Sequence, residues 1–416
     1  MFLIYQLIIS ILLLLSPIII IIRILKNKED KKRFVEKFSI HTKKRKSGKL
    51  IWFHGASVGE ILSVVPLIRY YEKKKSIKQI LITSSTLSSS KVIEKFKFKK
   101  TIHQFYPIDH FVFTNRFLKY WKPNVAMVID SEIWPWMFKI INEKKIPIIL
   151  LNARITKNTF KRWKKIKNFA YTVFGKISFA YPQNLETKNF LKKLKTKKIN
   201  YLGNLKFAEN HNQNLPKINK KLKNEFKKKN IWVASSTHAQ EEIFCVKAHT
   251  ELKKKIKNLI TIIIPRHVHR TQDIISEIKE LNYKIVSHSS KPTSLKNVDF
   301  YIVDTFGETK KFHKVTSTVF LGGSIIERGG QNPLEAARLG SKIFHGPNVD
   351  NFKDIYKLLK SLKISKKVYS SKQLSSLIIF KKNKKLGMKI KNIGEKILKK
   401  TIKELDYSIN NEIKKT

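Results

Sequence analysis

The sequence predicts an α/β protein: two doubly wound parallel sheets, in two domains facing a cleft, behind an apolar N-terminal segment. Three observations carry this expectation. Beyond residue 48, short apolar runs alternate with helix-length amphipathic stretches, the pattern of strands joined by crossover helices. The chain has 416 residues, more than one hydrophobic core serves, since cores stop growing at about 250–300 residues. A Lys- and Asn-rich stretch from Asn210 to Asn230, containing Pro216, separates the alternation into two sets and reads as a linker.

Taken in order, residues Phe2 to Ile22 form an uncharged apolar run broken only by Gln6, Ser10, Ser16 and Pro17. At 1.5 Å per residue a helix of that length crosses a hydrocarbon core of about 30 Å. Arg23, Lys26, Lys28, Lys31, Lys32 and Arg33 follow it directly, which places the rest of the chain on the cytoplasmic side by the positive-inside rule. No basic n-region or small-residue cleavage site marks a signal peptide. Pro17 leaves open a helix lying in the membrane interface. The first strand set is Leu50–His54, Ile80–Thr83, Val125–Asp130, Ile146–Leu151 and Ile177–Tyr181; the second is Ile231–Ala234, Leu259–Pro265, Phe300–Val303 and Thr318–Leu321. From Leu386, the residues Ile390, Ile393, Ile397, Leu398, Ile402 and Leu405 recur at helical spacing and predict an amphipathic helix. The expected division is 1–25 anchor, 35–209 first domain, 210–230 linker, 231–380 second domain and 381–416 C-terminal helix.

Charge and composition exclude several classes. The 86 basic residues against 30 acidic ones give +56, yet only 11 of the 86 are Arg, the residue a nucleic-acid surface uses for bidentate contacts. Lysines scattered among Ile and Asn read as a solvated surface with an attraction for anionic lipid, and no nucleic-acid partner is expected. A content of 42% hydrophobic residues excludes a disordered chain. One cysteine, Cys245, builds neither a disulfide framework nor a thiolate metal site.

The first chemistry-bearing motif is His54-Gly55-Ala56-Ser57-Val58-Gly59-Glu60, at a strand-to-helix junction. Glu60 there either complements the helix dipole or serves as a general base. Ser57 invites a nucleophile-elbow reading, but no Asp–His pair follows in suitable context. Asp130-Ser131-Glu132-Ile133-Trp134-Pro135 ends another strand, followed by Asn152-Ala153-Arg154 at the end of the next. The two carboxylates share a face if the strand continues and diverge if the chain turns at Ser131.

In the second half, Ser235-Ser236-Thr237-His238 precedes the acidic pair Glu241 and Glu242, an arrangement suited to capping or phosphate binding. Pro265-Arg266-His267-Val268-His269-Arg270 places two of the scarce arginines at a strand end, where a guanidinium suits a phosphate or carboxylate. Asp304-Thr305-Phe306-Gly307-Glu308 ends another strand, Gly322-Gly323-Ser324 a fourth, and Gly329-Gly330-Gln331-Asn332-Pro333-Leu334-Glu335 opens a helix. Glycine-rich strand ends on successive strands describe a nucleotide-binding face, with Glu335 available to ribose hydroxyls. His267 and His269 stand without an Asp-x-Asp pair, so neither a metal nor any other cofactor is expected.

These blocks together resemble the 3-deoxy-D-manno-octulosonic acid (Kdo) transferases, membrane-associated enzymes that add Kdo to the lipid A precursor. The resemblance runs from the N-terminal segment to about Asp354, through His54–Glu60, Asp130–Pro135, Asn152–Arg154, Gly203–Phe207, Ser236–His238, Pro265–His267, Gly307-Glu308 and Gly329–Glu335. It implies a GT-B glycosyltransferase of two Rossmann-like domains at the inner membrane, a CMP-Kdo donor, a lipid A precursor as acceptor, a role in lipopolysaccharide synthesis, and inversion without a metal. By the same resemblance Glu60 aligns with the general base, and Asp130 and Lys206 with groups that stabilise the transition state. CMP contacts map to Pro265 and Arg266, to Phe306, Gly307 and Glu308, and to Asn332, Pro333, Leu334 and Glu335. Asp130 stands where the family carries Glu, and Gln331 where His is common. The rival readings are another GT-B enzyme or an epimerase using a UDP-sugar, or a non-enzymatic polyanion binder.

Overall fold

The computed structural model describes residues 1–209 and 218–413, with side chains to 410. Contacts divide the chain into two units, Met1–Glu209 with Gly394–Thr416, and Asn210–Ile393. Of the segment expected to link them, residues 210–217 lie outside the described residues and Lys220–Lys227 form a helix that buries Leu222 and Phe226. Residues 414–416 of the expected C-terminal helix are likewise outside the description.

The first unit is built on six strands: β1 (Leu50–His54), β2 (Gln79–Ser84), β3 (Thr101–Phe105), β4 (Val125–Ile129), β5 (Ile148–Ala153) and β6 (Phe179–Pro182). They are all parallel, in the order β3-β2-β1-β4-β5-β6. Every residue of β1, β2, β4, β5 and β6 is buried, as a sheet covered by helices on both faces requires. Side chains alternate between the faces: Leu50 and Trp52 enter one core with Phe117, Trp121 and Phe174, while Ile51 and Phe53 enter another with Ile61, Val64 and Leu67. The order reverses between β1 and β4, and the carboxyl ends of strands at such a switch point are where open α/β sheets hold ligands.

The second unit has seven parallel strands: β7 (Asn230–Thr237), β8 (Leu259–Pro265), β9 (Ile285–Ser287), β10 (Phe300–Ile302), β11 (Thr318–Leu321), β12 (Lys342–His345) and β13 (Ser365–Lys367). Their order is β13-β12-β11-β7-β8-β10-β9, with a reversal between β11 and β7. Both sheets thus have the Rossmann-like, GT-B character expected.

The C-terminal helix Lys384–Ile413 buries Leu405 and Ile409 in the first unit's core, and its Asp406 and Ser408 bond Tyr71 (3.3 Å) and Tyr181 (2.8 Å). The N-terminal helix runs Phe2–Leu25 and is long and apolar enough to cross a membrane. It also rests a narrow stripe on the first unit. Phe2 packs on Trp136 and Phe169 at ring distances of 5.3 and 5.0 Å, Tyr5 donates to Asp109 at 2.9 Å, and Ile9, Ser16 and Ile20 are buried. Its other faces, with Leu3, Leu7, Ile11, Leu14, Ile18 and Ile21, are exposed.

Candidate active site

In the first unit, β1 ends at His54 and the helix Val58–Lys73 begins after the cap Ser57. Ser57 Oγ accepts the Glu60 N–H at 3.4 Å and donates to Glu60 Oε1 at 2.7 Å, while Glu60 Oε2 accepts the Ala56 N–H at 2.7 Å. This is a variant of the capping box, in which the return bond of Glu60 goes to the N–H of Ala56, the residue before the cap. It fixes a half-buried carboxylate at the carboxyl end of β1, beside the switch point.

Across the switch point, β4 stops at Ile129 because Asp130 takes a left-handed φ of 60°. The chain therefore turns at Asp130 and Ser131, the second of the two alternatives left open by the spacing. The Asp130 side chain is 8% exposed and lies 3.9 Å from Lys206 Nζ. Burial raises its carboxyl to about 6, with the Lys206 charge opposing the rise and the Glu60 charge adding to it. Glu132 Oε2 accepts the Trp134 indole N–H at 2.9 Å and stands 3.8 Å from His54 Nε2. Burial, helped by the charges of Glu60 and Asp130, pushes Glu132 up to about 7. His54 is fully buried and held down to about 3, so its imidazole is neutral at physiological pH and the 3.8 Å approach is not an ion pair.

Lys206 sits on a turn, Leu205–Ala208, anchored from two strand ends. Asn152, at the end of β5 with φ 52°, accepts the Leu205 N–H at 2.9 Å; Asn204 caps the turn through the Lys206 N–H at 2.9 Å and donates to Gln183 at 3.1 Å. Parts distant in sequence therefore bring Glu60, Glu132 and Lys206 into electrostatic reach of Asp130.

In the second unit the strand ends at the β7/β11 reversal are locked by one carboxylate. Glu241, fully buried, accepts the backbone N–H groups of Gly323 (2.6 Å), Ser324 (3.0 Å), Ile325 (2.9 Å) and His238 (3.1 Å). Gly322 admits it: a Cβ there would lie 2.7 Å from Glu241 Oε2. The Gly323, Ser324 and Ile325 amides are thus occupied by the protein's own anion, while the Gly322 N–H donates to Ser235 O at 2.9 Å. Pro265 closes β8 and leads to an exposed Arg266, whose N–H bonds Thr237 O at 2.9 Å. Exposed Phe306 and Gly307 follow β10, and Glu308 pairs with Lys311. Asn332 caps Leu334 N–H at 3.1 Å, Pro333 precedes the short helix Leu334–Arg338, and Glu335 pairs with Lys310 at 3.2 Å.

Residues 32–209 match the sequence profile described as 3-Deoxy-D-manno-octulosonic-acid transferase (kdotransferase). A 3-deoxy-D-manno-octulosonic acid transferase of Rickettsia bellii is 34% identical over 395 residues, covering 93% of each chain. The chain belongs to the Kdo transferase family. A probable mitochondrial Kdo transferase of Arabidopsis thaliana is 31% identical, covering 81% of this chain and 78% of its own. Among solved structures, the S. aureus MnaA–UDP complex aligns with a TM-score of 0.55 at 12% identity, over 87% of this chain and 97% of its own, a likeness of fold alone.

In this Kdo transferase family member the three residues expected to be catalytic, Glu60, Asp130 and Lys206, all lie in the first unit. Of the nine expected to hold CMP, all in the second unit, Pro265 and Arg266 lie at the end of β8, Phe306, Gly307 and Glu308 after β10, and Asn332, Pro333, Leu334 and Glu335 at the start of the helix Leu334–Arg338. Two functional groups escaped the reading of the sequence. Glu132 was quoted with its motif, but nothing local signals that it is desolvated against His54. Glu241 looked like a helix-opening acid, and only the approach of residues some 80 positions away makes it a loop anchor.

Glu132 supplies a test of this environment. Its folded carboxyl titrates above the ordinary 4.5, so its contribution to stability is complete below that pH and is lost as pH rises through about 7. Glu132→Gln keeps an acceptor for Trp134 and stays neutral. It is expected to exceed wild type in stability by about 2–3 kcal/mol at pH 8.5 and to match it at pH 4. Urea melts at both pH values check this; an equal gain at both would assign the effect to packing instead.

Proposed function

We propose that the chain moves Kdo from CMP-Kdo to a hydroxyl of a lipid A precursor, with inversion, at the cytoplasmic face of the inner membrane. The observation that supports this reading is that a Kdo transferase family member carries Glu60 and Asp130 at its switch-point strand ends, with the Lys206 ammonium 3.9 Å from Asp130.

In the proposed step the acceptor oxygen bonds to the anomeric carbon of Kdo as its proton passes to Glu60. The bond from that carbon to the phosphate oxygen breaks, and CMP leaves with the electron pair. Ala56 N–H and Ser57 O–H hold the Glu60 oxygens in place, so the base is aimed before substrate arrives. Positive charge gathers on the anomeric carbon, and Asp130, ionised above about pH 6, supports it. Lys206 keeps Asp130 ionised and offsets the Kdo carboxylate or the departing phosphate. Arg266, the exposed ring of Phe306, and the Asn332–Glu335 segment are assigned to the nucleotide.

The N-terminal helix supports membrane attachment through its exposed apolar faces. Because Phe2, Ile9 and Ile20 along its length all rest on the first unit, the interfacial arrangement is favoured over a span of about 36 Å. The +56 charge adds attraction to anionic lipid.

The test is incubation of the full chain, in detergent, with CMP-Kdo and a lipid A precursor. Release of CMP with a lipid heavier by one Kdo unit or more is expected. Tighter binding of UDP than of CMP, with no lipid product, would overturn the reading in favour of a UDP-sugar enzyme.

A further inference from the structure

The turn that carries Lys206 is clamped from a second side by the C-terminal helix. Gly394 of that helix faces the turn backbone directly: a Cβ built on it would lie 2.0 Å from Phe207 O, 2.7 Å from Phe207 C and 3.2 Å from Ala208 Cα. One helical turn on, Ile397 meets Gly203, whose φ is 107° and whose Cβ would lie 2.9 Å from Ile397 Cδ1. Residues 203–208 therefore lie against the helix face formed by Gly394 and Ile397.

The turn has no room to yield. Opposite the helix, the Leu205 N–H is fixed on Asn152, and Asn204 on Gln183 and the Lys206 N–H. Leu205, Phe207 and Ala208 are all buried. A side chain at 394 would meet backbone atoms, not the movable end of a side chain. Glycine is a poor residue for a helix interior, so its presence there is explained by this contact and not by helix formation.

We propose that Gly394 is a positioning residue for Kdo transfer: the missing side chain sets how deeply the Leu205–Ala208 turn sits, and so where the Lys206 ammonium stands relative to Asp130. This rests on the reading of Lys206 and Asp130 as members of the catalytic group. Gly394 touches neither substrate nor reacting atoms. Its effect passes through the backbone of Phe207 to the neighbouring Lys206 and its charge.

The test compares Gly394→Ala, Lys206→Ala and, as a control on an exposed position of the same helix, Lys396→Ala. All are assayed as full chains in detergent with saturating CMP-Kdo and acceptor. Gly394→Ala is expected to lower kcat by roughly 10–100-fold, the scale of a misplacement near 1 Å, while CMP affinity stays within 2-fold. A pH profile separates positioning from general damage. Asp130 is faced by Glu60, Glu132, Arg154 and Lys206, and withdrawal of the Lys206 charge moves the acidic limb of kcat to higher pH in both Gly394→Ala and Lys206→Ala. Lys396→Ala leaves rate and profile unchanged.

Should Gly394→Ala melt below the assay temperature, Ile397→Ala loosens the same stretch without a clash and is expected to move the limb in the same direction by a smaller amount. Normal transfer in Lys206→Ala overturns the catalytic reading and the positioning role with it. Impaired Lys206→Ala beside a Gly394→Ala of unaltered rate and profile overturns the positioning role alone. A fall in rate with an unmoved acidic limb also overturns it.

Discussion

Glu60→Gln is expected to lower Kdo transfer at least ~100-fold, because a positioned general base contributes typically 10²–10⁴-fold to a rate. The geometry makes the substitution informative. Glutamine retains one oxygen to accept the Ala56 N–H, and Ser57, which donates to Glu60 in the wild type, can turn its hydroxyl to accept from the new amide. The cap therefore survives at a cost of at most about 1 kcal/mol, and CMP affinity and melting should stay near wild type. The lost charge also relieves Asp130 and Glu132, both of which Glu60 pushes upward, so the variant's remaining activity should titrate at lower pH. Retention of more than a tenth of wild-type transfer, under saturating substrates and with chemistry rate-limiting, would show that Glu60 is not the base. Asp130 would then be the next group to examine.

The largest expected effect on stability belongs to Glu241→Ala. Four backbone N–H groups, of His238, Gly323, Ser324 and Ile325, end on this one carboxylate inside the second unit. Leaving a buried donor unsatisfied costs about 1–3 kcal/mol, so even with water entering the vacated space the loss should reach ~4 kcal/mol. That is a large part of the 5–15 kcal/mol typical of a domain. Glu241→Gln, with a single acceptor oxygen, should fall between the two. Denaturant unfolding followed by the fluorescence of Trp232, the one tryptophan of the second unit's described residues, reads the change in a background where the five tryptophans of the first unit are replaced by Phe. A loss below about 1 kcal/mol would mean that the loop after β11 holds itself without the carboxylate.

The two variants touch features that differ in how visible they are along the chain. Glu60 is legible from four neighbouring residues, because a Ser followed three positions later by Glu at a strand-to-helix junction is a local capping pattern. The strands Leu50–His54, Leu259–Pro265 and Thr318–Leu321 were equally legible, being apolar runs buried on both faces, and the structure keeps those bounds. Val125–Asp130 lost its last residue to the left-handed φ of Asp130, and Ile146–Leu151 became Ile148–Ala153. Strands β3, β9, β12 and β13 went unseen. Three of them lie at sheet edges, where one side has no partner strand, and β13 reads Ser-Lys-Lys with no apolar signal at all.

By itself the sequence determined the alternation of strands and helices, the apolar N-terminal helix, the position of Glu60 at a helix start and the resemblance to the Kdo transferases, since each depends on neighbours within a few positions or on ordered motifs. Only the tertiary structure decided that Asp130 titrates near 6 and Glu132 near 7, that Glu241 fills the amides after β11, and that a bare Gly394 backs the turn of Lys206. Desolvation and close backbone approach are set by groups far apart in the chain, and no local pattern of residue types encodes the distance between them.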